Sequence, residues 1–157
     1  MNTRRAIVAG LIATGVMTAL LLIEPAIGLP DIAVGQILSS SLGVVSAYLD
    51  FGPAIGWLIH FLFGAALGVL YAGIVLRHLL GEPVLRGMQY GVAVFVMAQV
   101  LFMPLVGAGF FSNGQFSLLL GSLLGHLLYG AVLGWIYDTG MRPEANPSDL
   151  RVATPGA

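Results

Sequence analysis

HFLFGAALGVLY, residues 60 to 71, returns sixty-six residues later as HLLYGAVLGWIY, residues 126 to 137. Seven of the twelve positions are identical, among them the histidine, both glycines and the tyrosine. A helix turns about 100° per residue, so positions i, i+4, i+8 and i+11 lie within about 80° of one another. His60, Gly64, Gly68 and Tyr71 therefore form one stripe, and His126, Gly130, Gly134 and Tyr137 form another. Glycines four apart strip one helical face and let a second helix come close, the small-xxx-small device of membrane bundles. Packing is the reading of Gly64, Gly68, Gly130 and Gly134.

Both copies lie in long apolar runs. Crossing the hydrocarbon takes about 20 apolar residues. Four stretches qualify: Ala6 to Leu29, Pro53 to Leu76, Gly87 to Val106 and Ser117 to Tyr137. The chain has 157 residues, 58% of them hydrophobic and 8% charged, with a mean hydropathy of +0.96. Those values lie far outside the range of a soluble domain. Continuous runs of this length argue for helices over the alternating strands of a barrel. The expected fold is all-α integral membrane, a single four-helix domain over residues 1–138 followed by a disordered tail, 139–157, rich in proline and small polar residues.

The arginines orient it. All six basic residues are arginine, at positions 4, 5, 77, 86, 142 and 151. With four spans, the N-terminus, the loop from Arg77 to Arg86 and the tail share one side, which the positive-inside rule makes cytoplasmic. Arg4 and Arg5 before an apolar run also suit a signal peptide. That run is longer than an h-region and lacks a small-x-small cleavage site, so it is expected to stay as a span.

The chain also divides into halves of one plan. Arg5 leads into a helix ending near Glu24-Pro25, then an outer connection, then the first histidine-glycine helix. Arg86 leads into a helix ending near Met103-Pro104, then a shorter connection, then the second. Two parallel helix-pair repeats are expected, arranged as a pseudo-two-fold bundle. Within the first outer connection, residues 32–42 follow a plausible N-cap, Asp31, and precede Gly43, a residue suited to ending a helix. They read either as a short helix on the outer membrane surface or as an ordinary packed loop.

An ionisable residue inside a span is costly enough to be a functional hypothesis by default. Here there are two histidines at matching places, plus Glu24, the single acidic residue deep in a span. Alignment on the following proline makes Met103 the counterpart of Glu24. Glu24, His60, Met103 and His126, one from each helix, are therefore expected at similar depth. Three chemistries fit such a cluster: a transition metal such as copper or zinc on imidazole, carboxylate and thioether; a haem b ligated by His60 and His126, with the glycines making room for the porphyrin; or a protonatable Glu-His network. The bland alternative is that each imidazole hydrogen-bonds a neighbouring helix and sets the register. Trp57 and Tyr137 read as members of an interfacial aromatic belt. Gln99 reads as a helix-to-helix hydrogen bond.

The absence of cysteine excludes thiolate chemistry and disulfides. The net charge of −1 leaves no electrostatic footprint for nucleic acid. No Ser-His-Asp set, phosphate-cradling glycine loop or paired carboxylates appear, so no enzyme activity is expected.

The segments GLIATGVMTALLL, GWLIHFLFGAALGVLYAGI, MPLVGAGFF and LLGHLLYGAVLGWIYD resemble a family of small bacterial four-helix membrane proteins of unknown function, over nearly the whole chain. The resemblance implies a membrane location and this topology, and brings no activity, substrate or ligand. The leading expectation is a polytopic inner-membrane protein, a small accessory subunit of a membrane complex or a homo-oligomer, with a metal or haem site at His60 and His126. Its rival is a small transporter or proton-conducting channel with Glu24 and the histidines along the path. An enzyme acting on a lipid or quinone ranks third.

Overall fold

The structure, a computed structural model, describes residues 1–40, 52–107 and 109–140. The expected tail lies, from residue 141 on, outside the described residues, as does the part of the outer connection that contains Gly43. No strand occurs among the described residues, and four helices are long and apolar enough to cross a membrane: Thr3–Ile27, Pro53–Gly73, Pro83–Leu105 and Phe116–Thr139.

Helix α1, Thr3–Ile23, opens where the Asn2 side chain accepts a hydrogen bond from the Arg5 backbone N–H at 3.0 Å, satisfying one of the donors a helix start leaves free. It tightens into a 3-10 turn at Glu24–Ile27 and stops at Gly28, whose φ of 87° suits glycine. Ala6, Ala9, Gly10, Ala13, Thr14, Met17 and Leu21 form its buried face. Most of these are small, so α1 sits against two neighbours at once, the helices Gly52–Leu70 and Phe116–Thr139.

Helix α2, Val34–Ser40, stands in the outer connection, within the expected 32–42. It packs on α3, Gly52–Leu70. The contact is backbone to backbone, since a Cβ at Gly56 would collide with the carbonyl of Gly35. Helix α3 runs on as a π turn, Tyr71–Val75.

Helix α4, Pro83–Met97, starts with its proline in the first turn, where a missing N–H costs nothing. Pro104 has no N–H for the carbonyl of Val100, and the preceding turn, Ala98–Phe102, is wound as a π-helix. Between this turn and α5, Phe116–Thr139, the chain makes a tight left-handed turn through Phe111, Ser112 and Asn113.

Two seams are built from glycine. A Cβ at Gly10 would collide with the carbonyl of Gly64, and one at Gly68 with the carbonyl of Ala6, so α1 and α3 meet along their backbones. In the same way Gly87 and Gly91 of α4 lie against Gly130, Gly134 and the His126 carbonyl of α5. All four motif glycines are thus packing residues. α1 and α5 also lie side by side, whereas α3 and α4 barely meet.

Candidate functional site: a cleft between two helices

Where α3 and α4 stand apart there is a cleft of about 190 Å³. The two helices touch at its ends through large side chains. The Tyr90 hydroxyl donates to the Leu67 carbonyl at 2.8 Å, and the rings of Phe63 and Phe102 meet edge-on with centroids 6.1 Å apart. The rear wall comes from α1 and α5, and Ile37 and Leu38 of α2 border the end nearest the outer connection. Phe63 and Met97 line the cleft and are also 50% and 45% exposed on the outside of the bundle. A residue can do both only at a mouth. The cleft therefore opens sideways, between two helices that are apolar enough to face lipid.

The lining is overwhelmingly apolar, and its polar members are few: Thr14, Ser122, Tyr129, His60 and His126. Several of these are already committed. The Thr14 hydroxyl donates to the Gly10 carbonyl at 2.8 Å. Tyr129, buried, donates to the Gly64 carbonyl at 2.8 Å and so ties α5 to α3. The histidines are different. Nδ1 of His126 lies 2.7 Å from the Ser122 carbonyl. A carbonyl oxygen only accepts, so Nδ1 carries the proton and Nε2 of the neutral ring presents a lone pair. His60 lies between Trp57 and Phe61, in edge contact with both rings. Its Nε2 is buried and has no hydrogen-bond partner among the described residues.

Of the four side chains expected at one level, three line the cleft: His60, Met103 and His126. Glu24 does not. Its carboxylate packs against Gly121 of α5, fully buried, with neither oxygen hydrogen-bonded among the described residues. Glu24 keeps α-helical backbone angles, with its N–H bonded to the Leu20 carbonyl, so it continues the stripe of Met17 and Leu21 that faces Gly125 and Gly121 of α5. No three His, Asp or Glu side chains gather to hold a metal ion among the described residues.

A second polar group braces the site. The Ser112 hydroxyl donates to Oε1 of Gln99, and Nε2 of Gln99 donates to the Ser122 hydroxyl, both at 3.1 Å. Gln99 is the helix-to-helix hydrogen bond that its place in an apolar run predicts. Ser112 and Ser122 escaped the sequence reading, since a serine in a loop or helix carries little signal. Through Ser122, whose carbonyl holds His126, this chain fixes the residue that orients the imidazole.

The arginine-bearing end is closed by a different cluster. Arg86 pairs with Asp138 at 3.2 Å, and the Tyr71 hydroxyl donates to the same carboxylate oxygen at 3.2 Å. The Tyr137 hydroxyl accepts from the Asn2 backbone N–H at 3.2 Å, and Arg5 caps the end of α5 by donating to the carbonyls of Ile136 and Tyr137. The assignment of Tyr137 to an interfacial belt is corrected here. It is 1% exposed and packs edge-on against Tyr71, because its stripe turns into the bundle. Asp138 was missed. The available signal was a lone carboxylate directly after the repeated tyrosine, at the end of the bundle that carries Arg5 and Arg86.

The chain matches no curated protein and no solved structure. A family model described as a family of unknown function (DUF6789) matches residues 1–147. That span takes in every described helix, and the chain belongs to this family of unknown function.

Proposed function

We propose that the protein is a membrane-embedded binding protein that takes a bilayer-dissolved amphiphile into the cleft between α3 and α4. The observation that carries this reading is the sideways mouth at Phe63 and Met97, leading to an apolar cavity with two imidazoles on its wall. Ligand sites are commonly apolar pockets with a few placed polar groups, often between the helices of bundles. A lateral opening admits a molecule that never leaves the bilayer. This reading keeps the expectation of a small accessory subunit in a membrane, with the arginine-bearing end in the cytoplasm by the positive-inside rule.

A transition metal or haem is the weaker occupant. Two imidazoles and the Met103 thioether border the cleft and suit a soft cation, but Glu24 turns towards Gly121. Transport is weaker again, since buried Tyr71, Tyr137 and Asp138, joined to the partly exposed Arg86, block the arginine-bearing end.

Protein purified from its native membrane in mild detergent, then extracted and analysed by mass spectrometry, tests the reading. One amphiphile is expected at near-stoichiometric amount, and it should be lost from Ala98→Phe, which places a ring inside the cleft. An extract matching the bulk lipid and unchanged by that substitution would sink the proposal. Stoichiometric copper or a Soret band lost in His60→Ala would transfer the site to metal or haem.

A further inference from the structure

Resting on the cleft reading, we infer that the amphiphile carries a neutral hydroxyl head, held between His126 and His60. What points to it is the hydrogen-bonding capacity that the two imidazoles leave open. Thr14 and Tyr129 spend their protons on the Gly10 and Gly64 carbonyls. The Ser122 hydroxyl receives a hydrogen bond from Gln99 and keeps its own proton to donate. His126 donates through Nδ1 to the Ser122 carbonyl, leaving Nε2 as an acceptor without a partner among the described residues. Nε2 of His60 is buried without a hydrogen-bond partner among the described residues, and a neutral imidazole always has one N–H to give.

The two imidazoles thus offer an acceptor on α5 and a donor on α3, with apolar side chains around both. A ligand group complementary to this pair must itself both donate and accept. A hydroxyl is the smallest that does so, donating to Nε2 of His126 and accepting from His60. A ketone or ether oxygen would satisfy His60 and leave His126 unpaired. A phosphate or carboxylate head would enter an apolar lining with no arginine, where an unpaired charge is costly. The class that fits is a long-chain or isoprenoid alcohol, or the hydroxyl of a reduced quinone. Its chain would leave through the mouth at Phe63 and Met97.

The orientation of His126 is built into the fold. Its carbonyl lies against Gly91 of α4, and its Nδ1 partner belongs to Ser122, which the Gln99 and Ser112 side chains hold. The lone pair at Nε2 is therefore presented before any ligand arrives, which lowers the ordering cost of binding.

The full chain, reconstituted in lipid nanodiscs, is to be photolabelled with a diazirine-bearing hexadecanol and, separately, with its methyl ether. Labelled residues are read by peptide mass spectrometry. The alcohol should label Phe63, Leu67, Met97 and Phe102 about tenfold more strongly than the ether, the ratio one lost hydrogen bond produces in a desolvated site. In His126→Leu the two probes should label equally. Equal labelling of the cleft by both probes in the wild type overturns the hydroxyl inference and leaves the cleft reading standing. Labelling of the cleft no stronger than of the outer-face residues Leu62 and Leu101 overturns both. Should His126→Leu fail to fold, the wild-type ratio of alcohol to ether still decides the matter. A tenfold ratio that persists in folded His126→Leu assigns the discrimination elsewhere and overturns the inference.

Discussion

Helix α4 has two neighbours and meets them in opposite ways. Towards α5 it presents Gly87 and Gly91, and the backbones of the two helices touch. Towards α3 it presents Tyr90, Val94 and Met97, with Phe102 in the π turn that follows, and the helices stand apart around a cleft. The α3 helix spends its own glycine stripe on α1. A helix has one smooth stripe, and the faces left over carry side chains too large to interlock fully. The cleft is thus a consequence of where the glycines are, and the same glycines that tighten two seams leave the third open.

Gly130→Leu should break this contrast with the largest effect. Any Cβ at Gly130 collides with the carbonyl of Gly87, so α4 must move away from α5. A loss on the order of 3 kcal/mol, or failure to fold, is expected from overpacking of this kind. Gly15→Ala is its control. Nothing lies within 4 Å of a Cβ there, and a gain of about 0.5 kcal/mol from helix propensity is expected. Denaturation midpoints in detergent compare the two. If they shift equally, the seam does not rest on glycine.

Asp138→Asn comes next. It removes the negative charge that Arg86 pairs with and weakens the acceptor for Tyr71. Arg86 is partly exposed and can reach water, so about 2 kcal/mol is expected rather than the full cost of an orphaned buried charge. The loss should appear as a lower melting temperature with the cleft still able to bind. If binding disappears while the protein stays folded, the closed end and the cleft are coupled, and treating them as separate regions is wrong.

Tyr90→Phe has the smallest effect and sharpens the comparison most directly. It deletes the hydrogen bond to the Leu67 carbonyl, one of the few links between α3 and α4, at a cost of about 1 kcal/mol. Spin labels on exposed Leu70 and Val92 should then report a broader distance distribution between these helices. An unchanged distribution would mean that Phe63 and Phe102 alone set the spacing.

Much of this organisation is legible in the sequence, and the reason differs by residue. The apolar runs announce their helices because each must be long enough to cross the hydrocarbon. The glycine stripes are legible because a period of four in a helix defines a face. Gln99 is legible because a buried amide needs a partner. Glu24 was not, because depth in a span does not tell which neighbour a helical face meets, and its face meets Gly121 of α5. Tyr137 was misread because an aromatic near a helix end serves equally well in lipid or in the bundle. Asp138, Ser112 and Ser122 gain their roles only from residues distant in sequence.

By itself the sequence determined four helices able to span a membrane, the glycine faces of the two histidine helices, and two imidazoles at matching places. Those properties are local, set by composition and by the helical period. Only the tertiary structure decided that α1 takes the first glycine stripe and α4 the second, that α3 and α4 are held apart, and that His60 and His126 line one cleft while Glu24 faces Gly121. A single residue of helix rotates a side chain by about 100°. Which neighbour it meets is therefore settled by packing between helices, and no run of neighbouring residues encodes that alone.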